Sequence, residues 1–168
     1  PEAKRLAECL FASYALERGT HSSVARLTQT FGEGVGSEDG RVFAEFARCA
    51  SEGDDIVLLS DGSKRNQYLS VDDAVRAILL LLAKGEDGQA YNVANPRTFC
   101  SIREMADLVA AEFGDGDCRV VFGKDPARSA TFRNGTSIDL DASRIEALGW
   151  RAEQDLPEMY RSMLACWA

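Results

Sequence analysis

One stretch limits the fold more than any other: Asp61-Gly62-Ser63-Lys64-Arg65-Asn66-Gln67-Tyr68-Leu69-Ser70-Val71-Asp72-Asp73. The Asp-Gly pair predicts a tight turn, the residues after it a short extended run, and Asp72 or Asp73 a helix start. A carboxylate there accepts hydrogen bonds from the first free backbone N–H groups. Lys64 and Arg65 stand at the mouth of the turn. They fit a solvated basic turn, and equally a pair of cations offered to an anion such as a diphosphate, whose oxygens match a guanidinium fork.

The rest of the chain alternates in the same way. Helical spacing begins at Pro1-Glu2-Ala3-Lys4, where a first-turn proline loses no hydrogen bond, and stops at Gly19. Ala3, Leu6, Ala7, Leu10 and Tyr14 form one apolar stripe and Cys9, Ala12 and Leu16 a second. Two stripes predict two buried faces, one on a sheet and one on a partner helix. Residues 22–28 alternate as a strand. Asp39 is the expected cap of a helix over 40–52 with Val42, Phe43, Phe46 and Ala47 inward. A strand is expected over 56–59, a helix over 72–84 whose leucines read as core, and a strand over 89–94 followed by an Asn95-Pro96 turn. Ser101-Ile102-Arg103-Glu104 is a capping box opening a helix to Phe113. Residues 118–122 read as a strand. Residues 123–136 are polar and irregular, with Arg128 and Arg133 available to close over a ligand. Asp155 and Pro157 start a last helix whose apolar face is Leu156, Tyr160, Met163, Leu164 and Trp167. Gly32, Gly34 and Gly36 make a glycine-rich segment, but no helix follows directly, so it is weak as a phosphate loop.

With 168 residues the chain suits one domain, and 45% hydrophobic with 27% charged residues marks it as globular. A net charge of −8 argues against a nucleic-acid or anionic-membrane partner, which needs a basic stripe. The five cysteines are widely spaced and there is one histidine, so neither a metal site nor a disulfide framework is expected. Reduced thiols and a cytoplasmic location are the expectation. The longest apolar run, residues 77–83, falls far short of the roughly 20 residues that span a bilayer.

Several segments, in order, resemble the extended short-chain dehydrogenase/reductase family of NAD(P)-dependent nucleotide-sugar epimerases and dehydratases. "PEAKRLAE" resembles the Tyr-x-x-x-Lys segment without its Tyr, "ARLTQTFGEGV" the R-x-x-N-x-YGP loop, and the opening stretch DG-x-x-R-x-F-x-x-VDD. "YNVANP", "SIRE" and "DLDASRIEALGW" match later family segments. The resemblance implies an α/β fold: the C-terminal portion of a Rossmann-type parallel sheet with a small α/β substrate-binding lobe. Residues 1–38 would be a Rossmann remnant and residues 39–168 mainly the lobe, with 56–84 and 89–94 returning to the sheet. It implies NAD or NADP bound mainly by an N-terminal half outside these residues, which would also carry the Tyr.

By the same resemblance Lys4 is the catalytic lysine and a cofactor contact. Thr28, Gln29, Arg41, Val42 and Arg65 are the candidate contacts to a nucleoside-diphosphate sugar. A homodimer through the helix of residues 1–19 is implied, and these 168 residues alone are expected to be inactive. The chain departs from the family pattern where Asn66 stands for Arg, with Arg65 one place earlier, and where Gln29 replaces Asn, Glu33 replaces Pro and Ala152 replaces Pro. The departures at Arg65, Gln29 and Glu33 keep open a catalytically inactive member serving as a binding or scaffold protein; an extended reductase of non-sugar carbonyls is a further alternative.

Overall fold

The computed structural model describes residues 2–123 and 137–167. Helices are α1 (Glu2–Arg18), α2 (Val42–Glu52), α3 (Val71–Lys84), α4 (Ile102–Phe113), α5 (Ser143–Ala147) and α6 (Leu156–Ala165). Strands are β1 (Val24–Leu27), β2 (Gln29–Phe31), β3 (Ile56–Leu58), β4 (Arg65–Asn66), β5 (Tyr68–Ser70), β6 (Ala90–Val93), β7 (Cys100–Ser101) and β8 (Val120–Phe122). Three pairs are parallel, β1 with β6, β2 with β5 and β3 with β8; β4 and β7 pair antiparallel. Parallel pairs joined through helices give the expected α/β class.

Two apolar clusters hold these layers. One gathers Phe31, Phe43, Phe46, Tyr68, Met105, Val109, Met159 and Tyr160 from β2, α2, β5, α4 and α6. The other gathers Leu69, Ala77, Leu81, Tyr91, Val93, Ile145 and Trp150 around α3 and β6. The capping boxes at Ser101 and Asp155 are both formed, each closed by a glutamate three residues on.

Local chemistry differs from expectation in five places. The strand expected over 22–28 gives way to β1, then β2 with a different partner, because Thr28 still bonds β6 while Gln29 pairs with Tyr68. The cap of α3 is Ser70, whose hydroxyl accepts from the Asp73 N–H, rather than Asp72 or Asp73. Helix α2 starts at Val42; the Asp39 carboxylate bonds Arg41 instead of capping the helix. Only Leu81 of the leucine run in α3 is fully buried, while Leu79 and Leu82 are 60% and 79% exposed. Neither stripe of α1 is buried by this chain: Leu6, Leu10, Phe11, Tyr14 and Leu16 are all exposed.

Candidate functional site

Helix α1 runs antiparallel to β1. Its Glu8 receives the Arg26 guanidinium through Nε at 3.0 Å and Nη2 at 2.5 Å, while Ala12 and Ala15 lie against Gly88, just before β6. The first turn of α1, which carries Lys4, therefore lies toward the carboxyl ends of β1 and β6. Lys4 is exposed and makes no ion pair among the described residues. Open α/β sheets bind ligands at that end of their strands.

There β1 hands over to β2. The Thr28 N–H still donates to the Val93 carbonyl at 3.1 Å. Its carbonyl accepts from the Thr30 hydroxyl at 3.0 Å. The Thr28 hydroxyl itself is buried and has no partner among the described residues, a condition that costs about 1–3 kcal/mol. Gln29, half-buried, follows directly.

Arg41 sits at the mouth of α2. Its fork closes on Asp39, Nε at 2.9 Å from Oδ1 and Nη2 at 2.5 Å from Oδ2. Nη1 reaches back 3.5 Å to the Thr30 carbonyl. The guanidinium lies 4.7 Å above the Phe43 ring, which stacks on Phe31 at 4.4 Å. These bonds from Arg41, side chain first and then backbone N–H, hold the Asp39 carboxyl down at about 2. Val42 follows, half-buried against the first cluster. Arg41 is thus tied to the Thr28–Thr30 backbone.

Arg65 faces elsewhere. It opens β4 opposite Ser101, pairs with Glu104 at 3.0 Å, donates to the Phe99 carbonyl at 3.2 Å and lies 4.8 Å over the Phe99 ring. Neighbouring strand residues point to opposite faces. Asn66 accordingly turns the other way, where it is buried near Tyr68. Burial pushes that phenol well above its usual range. Arg41 and Arg65 share no hydrogen-bond partner among the described residues. Arg128 and Arg133 lie outside those residues.

Sequence reasoning gave Gln67 no role and took Trp167 only as part of an apolar helix face. Gln67 is buried and clamps residues 139–140, donating to Asp139 at 2.8 Å and accepting from the Leu140 N–H at 2.6 Å. Its place in an aromatic-flanked strand was the only local sign that it would be buried. An open cavity of about 490 Å³ lies between α1 and the amino ends of β1 and β6. The arginines lining it are already engaged: Arg5 by Glu2, Arg26 by Glu8 and Arg144 by Gln89. Among the described residues no cluster of His, Cys, Asp and Glu could hold a metal ion, and no helix is long and apolar enough to cross a membrane.

Parallel strands flanked by helices, with polar residues gathered at their carboxyl ends, define a Rossmann-type ligand-binding α/β protein. Residues 1–94 match the NAD dependent epimerase/dehydratase family. The chain belongs to that family, within the extended short-chain dehydrogenases/reductases. It is 31% identical over 108 residues to UDP-glucuronic acid decarboxylase 5 of Arabidopsis thaliana, covering 64% of this chain and 31% of the relative. A match to UDP-glucuronic acid decarboxylase 2 of the same plant, at 28% identity, covers 95% of this chain and 35% of the relative. The fold is that of the UDP-glucose 4-epimerase of Thermotoga maritima, with a TM-score of 0.80 at 24% identity, over 98% of this chain and 51% of that one. The chain thus spans about a third of these curated relatives and half of that structure.

Proposed function

We propose that the intact protein is an NAD(P)-dependent enzyme acting on nucleoside-diphosphate sugars, with this chain forming the sugar-nucleotide side of the cleft. The observation that carries the reading is the buried Thr28 hydroxyl, unpartnered among the described residues, at the carboxyl end of a parallel pair, beside Gln29, in a chain of this family. A polar sugar would supply the missing partner once binding uncovers the hydroxyl. Residues 1–38 would belong to the dinucleotide domain and residues 39–168 mainly to the substrate lobe, in a cytoplasmic homodimer joined through the bare apolar stripe of α1.

The residues present fit one end of the cofactor only. Lys4 stands free at the carboxyl end of the sheet, suited to a nicotinamide ribose. Among the described residues no glycine segment passes directly from a strand into a helix, so the pyrophosphate would be held elsewhere. Nicotinamide, when bound, would supply the acceptor for a hydride from a sugar carbon. The Lys4 ammonium would favour the phenolate of a tyrosine one helical turn away, which removes the sugar hydroxyl proton. Arg41 would neutralise the diphosphate, the Val42 backbone would lie by the base, and Thr28 and Gln29 would face the sugar; Arg65 would have to leave Glu104 and the Phe99 carbonyl to join them. The keto sugar is then open to epimerisation, dehydration or decarboxylation. Similarity to UDP-glucuronic acid decarboxylases favours UDP-glucuronate as the first substrate to try.

Full-length protein incubated with NAD and UDP-glucuronate, UDP-glucose or dTDP-glucose should yield a changed sugar by mass or by NMR, and residues 1–168 alone none. Turnover by the 168-residue chain would overturn the division of labour proposed. A second reading, a non-catalytic binding protein, draws on Arg65 being held by Glu104 while Asn66 occupies the family arginine position. It predicts nucleotide-sugar binding without any product.

A further inference from the structure

Between β2 and α2 runs the segment of residues 32–41, which carries Arg41. It has little structure of its own: Val35 N–H to the Gly32 carbonyl at 3.2 Å and Asp39 N–H to the Gly36 carbonyl at 3.1 Å. Gly32 and Gly34 sit at φ 138° and 83°, in conformations side chains rarely adopt. Such a segment takes its shape from what grips it. Two side chains from outside do so. Arg48 of α2 donates to the Ser37 carbonyl at 2.5 Å, and Trp167, just past the end of α6, donates its indole N–H to the Val35 carbonyl at 2.7 Å. Val35 and Trp167 both pack on the first apolar cluster. Helix α6 also lies beside the start of the segment, since a Cβ on Gly32 would come 3.6 Å from the Ser162 hydroxyl.

We propose that Trp167 is a positioning residue for anion recognition, a latch from the last helix that holds the glycine segment so that Arg41 stands over Phe43 and against Thr30. The proposal rests on the functional reading above, in which Arg41 meets a diphosphate. Trp167 touches no ligand. Without its bond the segment would sample more conformations, and each one that displaces Arg41 reduces the fraction competent to bind.

The test uses full-length protein and UDP as probe, with Trp167→Phe, which keeps the ring packing, and Trp150→Phe as control. The Trp150 indole bonds Asp73 in the other cluster. Trp167→Phe is expected to weaken UDP binding about fivefold, the size of one hydrogen bond, and to speed amide exchange across residues 33–41. Trp150→Phe should lower the melting temperature at least as much yet bind UDP as the wild type does. Unchanged UDP affinity, or unchanged exchange across 33–41, in Trp167→Phe overturns the latch. A wild type that fails to bind UDP overturns the functional reading instead, and the exchange comparison still decides the latch. Should Trp167→Phe not fold, NMR of the wild type decides: the Trp167 indole N–H must be protected from exchange, and more so with UDP, and one that exchanges freely in both states refutes the proposal.

Discussion

The Trp150 indole N–H donates to the Asp73 carbonyl at 3.2 Å, and the Asp73 carboxylate answers by accepting the backbone N–H groups of Glu153 and Gln154 at 3.0 and 3.2 Å. The second aspartate of Val71-Asp72-Asp73 thus fastens residues 150–154 across the start of α3. Asn95 and Arg97 grip the same segment, at the carbonyls of Gln154 (2.7 Å) and Ala152 (3.1 Å). Asp73 is wholly buried, and its charge is met by Arg76.

Asp73→Ala takes the acceptor from the Glu153 and Gln154 N–H groups and one of two carboxylates from Arg76, which keeps Glu153, while the Trp150 bond to the backbone carbonyl survives. Each part-buried N–H left without an acceptor costs about 1–3 kcal/mol. Asp72→Ala loses only an exposed bond to Gln154 and should change stability by less than about 1 kcal/mol. Urea unfolding of the two variants measures both, and equal losses would refute the clasp.

The box at Ser101 was read correctly because it needs only four consecutive residues, Asp155 and Pro157 did start the last helix, and the start of α3 came out within two. Its cap was misassigned because the Asp73 side chain is drawn to partners 80 residues away, leaving Ser70 to cap. Leucines at 79–82 line every face of the helix, so the pattern could not say which faces have neighbours. The same holds for the candidate site: Thr28, Gln29 and Arg41 were named by order along the chain, but the burial of the Thr28 hydroxyl and the direction of Arg65 depend on strand register. Arg65 faces Glu104 because it stands opposite Ser101 in β4 and β7. Nothing near residue 35 or 167 announces a bond that spans 132 residues.

The leucine run offers its own check. Leu81→Ala should cost about 2–5 kcal/mol, the range for a buried leucine, because Leu81 lies among Ala77, Tyr91 and Val93. Leu82→Ala, at a position 79% exposed, should stay within about 0.5 kcal/mol. Thermal melts of the 168-residue chain suffice. A reversed order would mean that α3 is rotated about its axis.

Bonding to Arg41 moves the Asp39 carboxyl from an ordinary 3.8 to about 2. A depressed folded value gives stability that is fully present above the ordinary value and disappears as pH falls through the folded one. The gap in stability between wild type and Asp39→Asn should therefore hold steady from pH 7 down to 5, narrow below about 4 and close near 2. Acid titration followed by circular dichroism reads this. A gap that widens below pH 4 contradicts the pairing.

Burial raises the thiols of Cys49 and Cys118, and takes Cys100 up to about 11, whereas Cys9 and Cys166 are exposed. Only thiolates react quickly. Iodoacetamide at pH 7.5 should therefore modify two residues, Cys9 and Cys166, well before the others, with peptide mass spectrometry giving the order. Early modification of Cys100 would place it at the surface.

Thr28 separates a role in binding from a role in folding. For an ordinary buried threonine, replacement by valine breaks hydrogen bonds and destabilises; here the hydroxyl has no partner among the described residues, so the change removes an unmet desolvation cost of about 1–3 kcal/mol. Thr28→Val should melt at the wild-type temperature or above it. If a sugar hydroxyl completes that bond, the full-length variant should show a KM for its nucleotide sugar raised about fivefold or more, by the same loss of one hydrogen bond, while Thr28→Ser retains affinity. Higher stability together with unchanged KM would mean that the hydroxyl is answered by something other than substrate, and the contact assigned to Thr28 would be withdrawn.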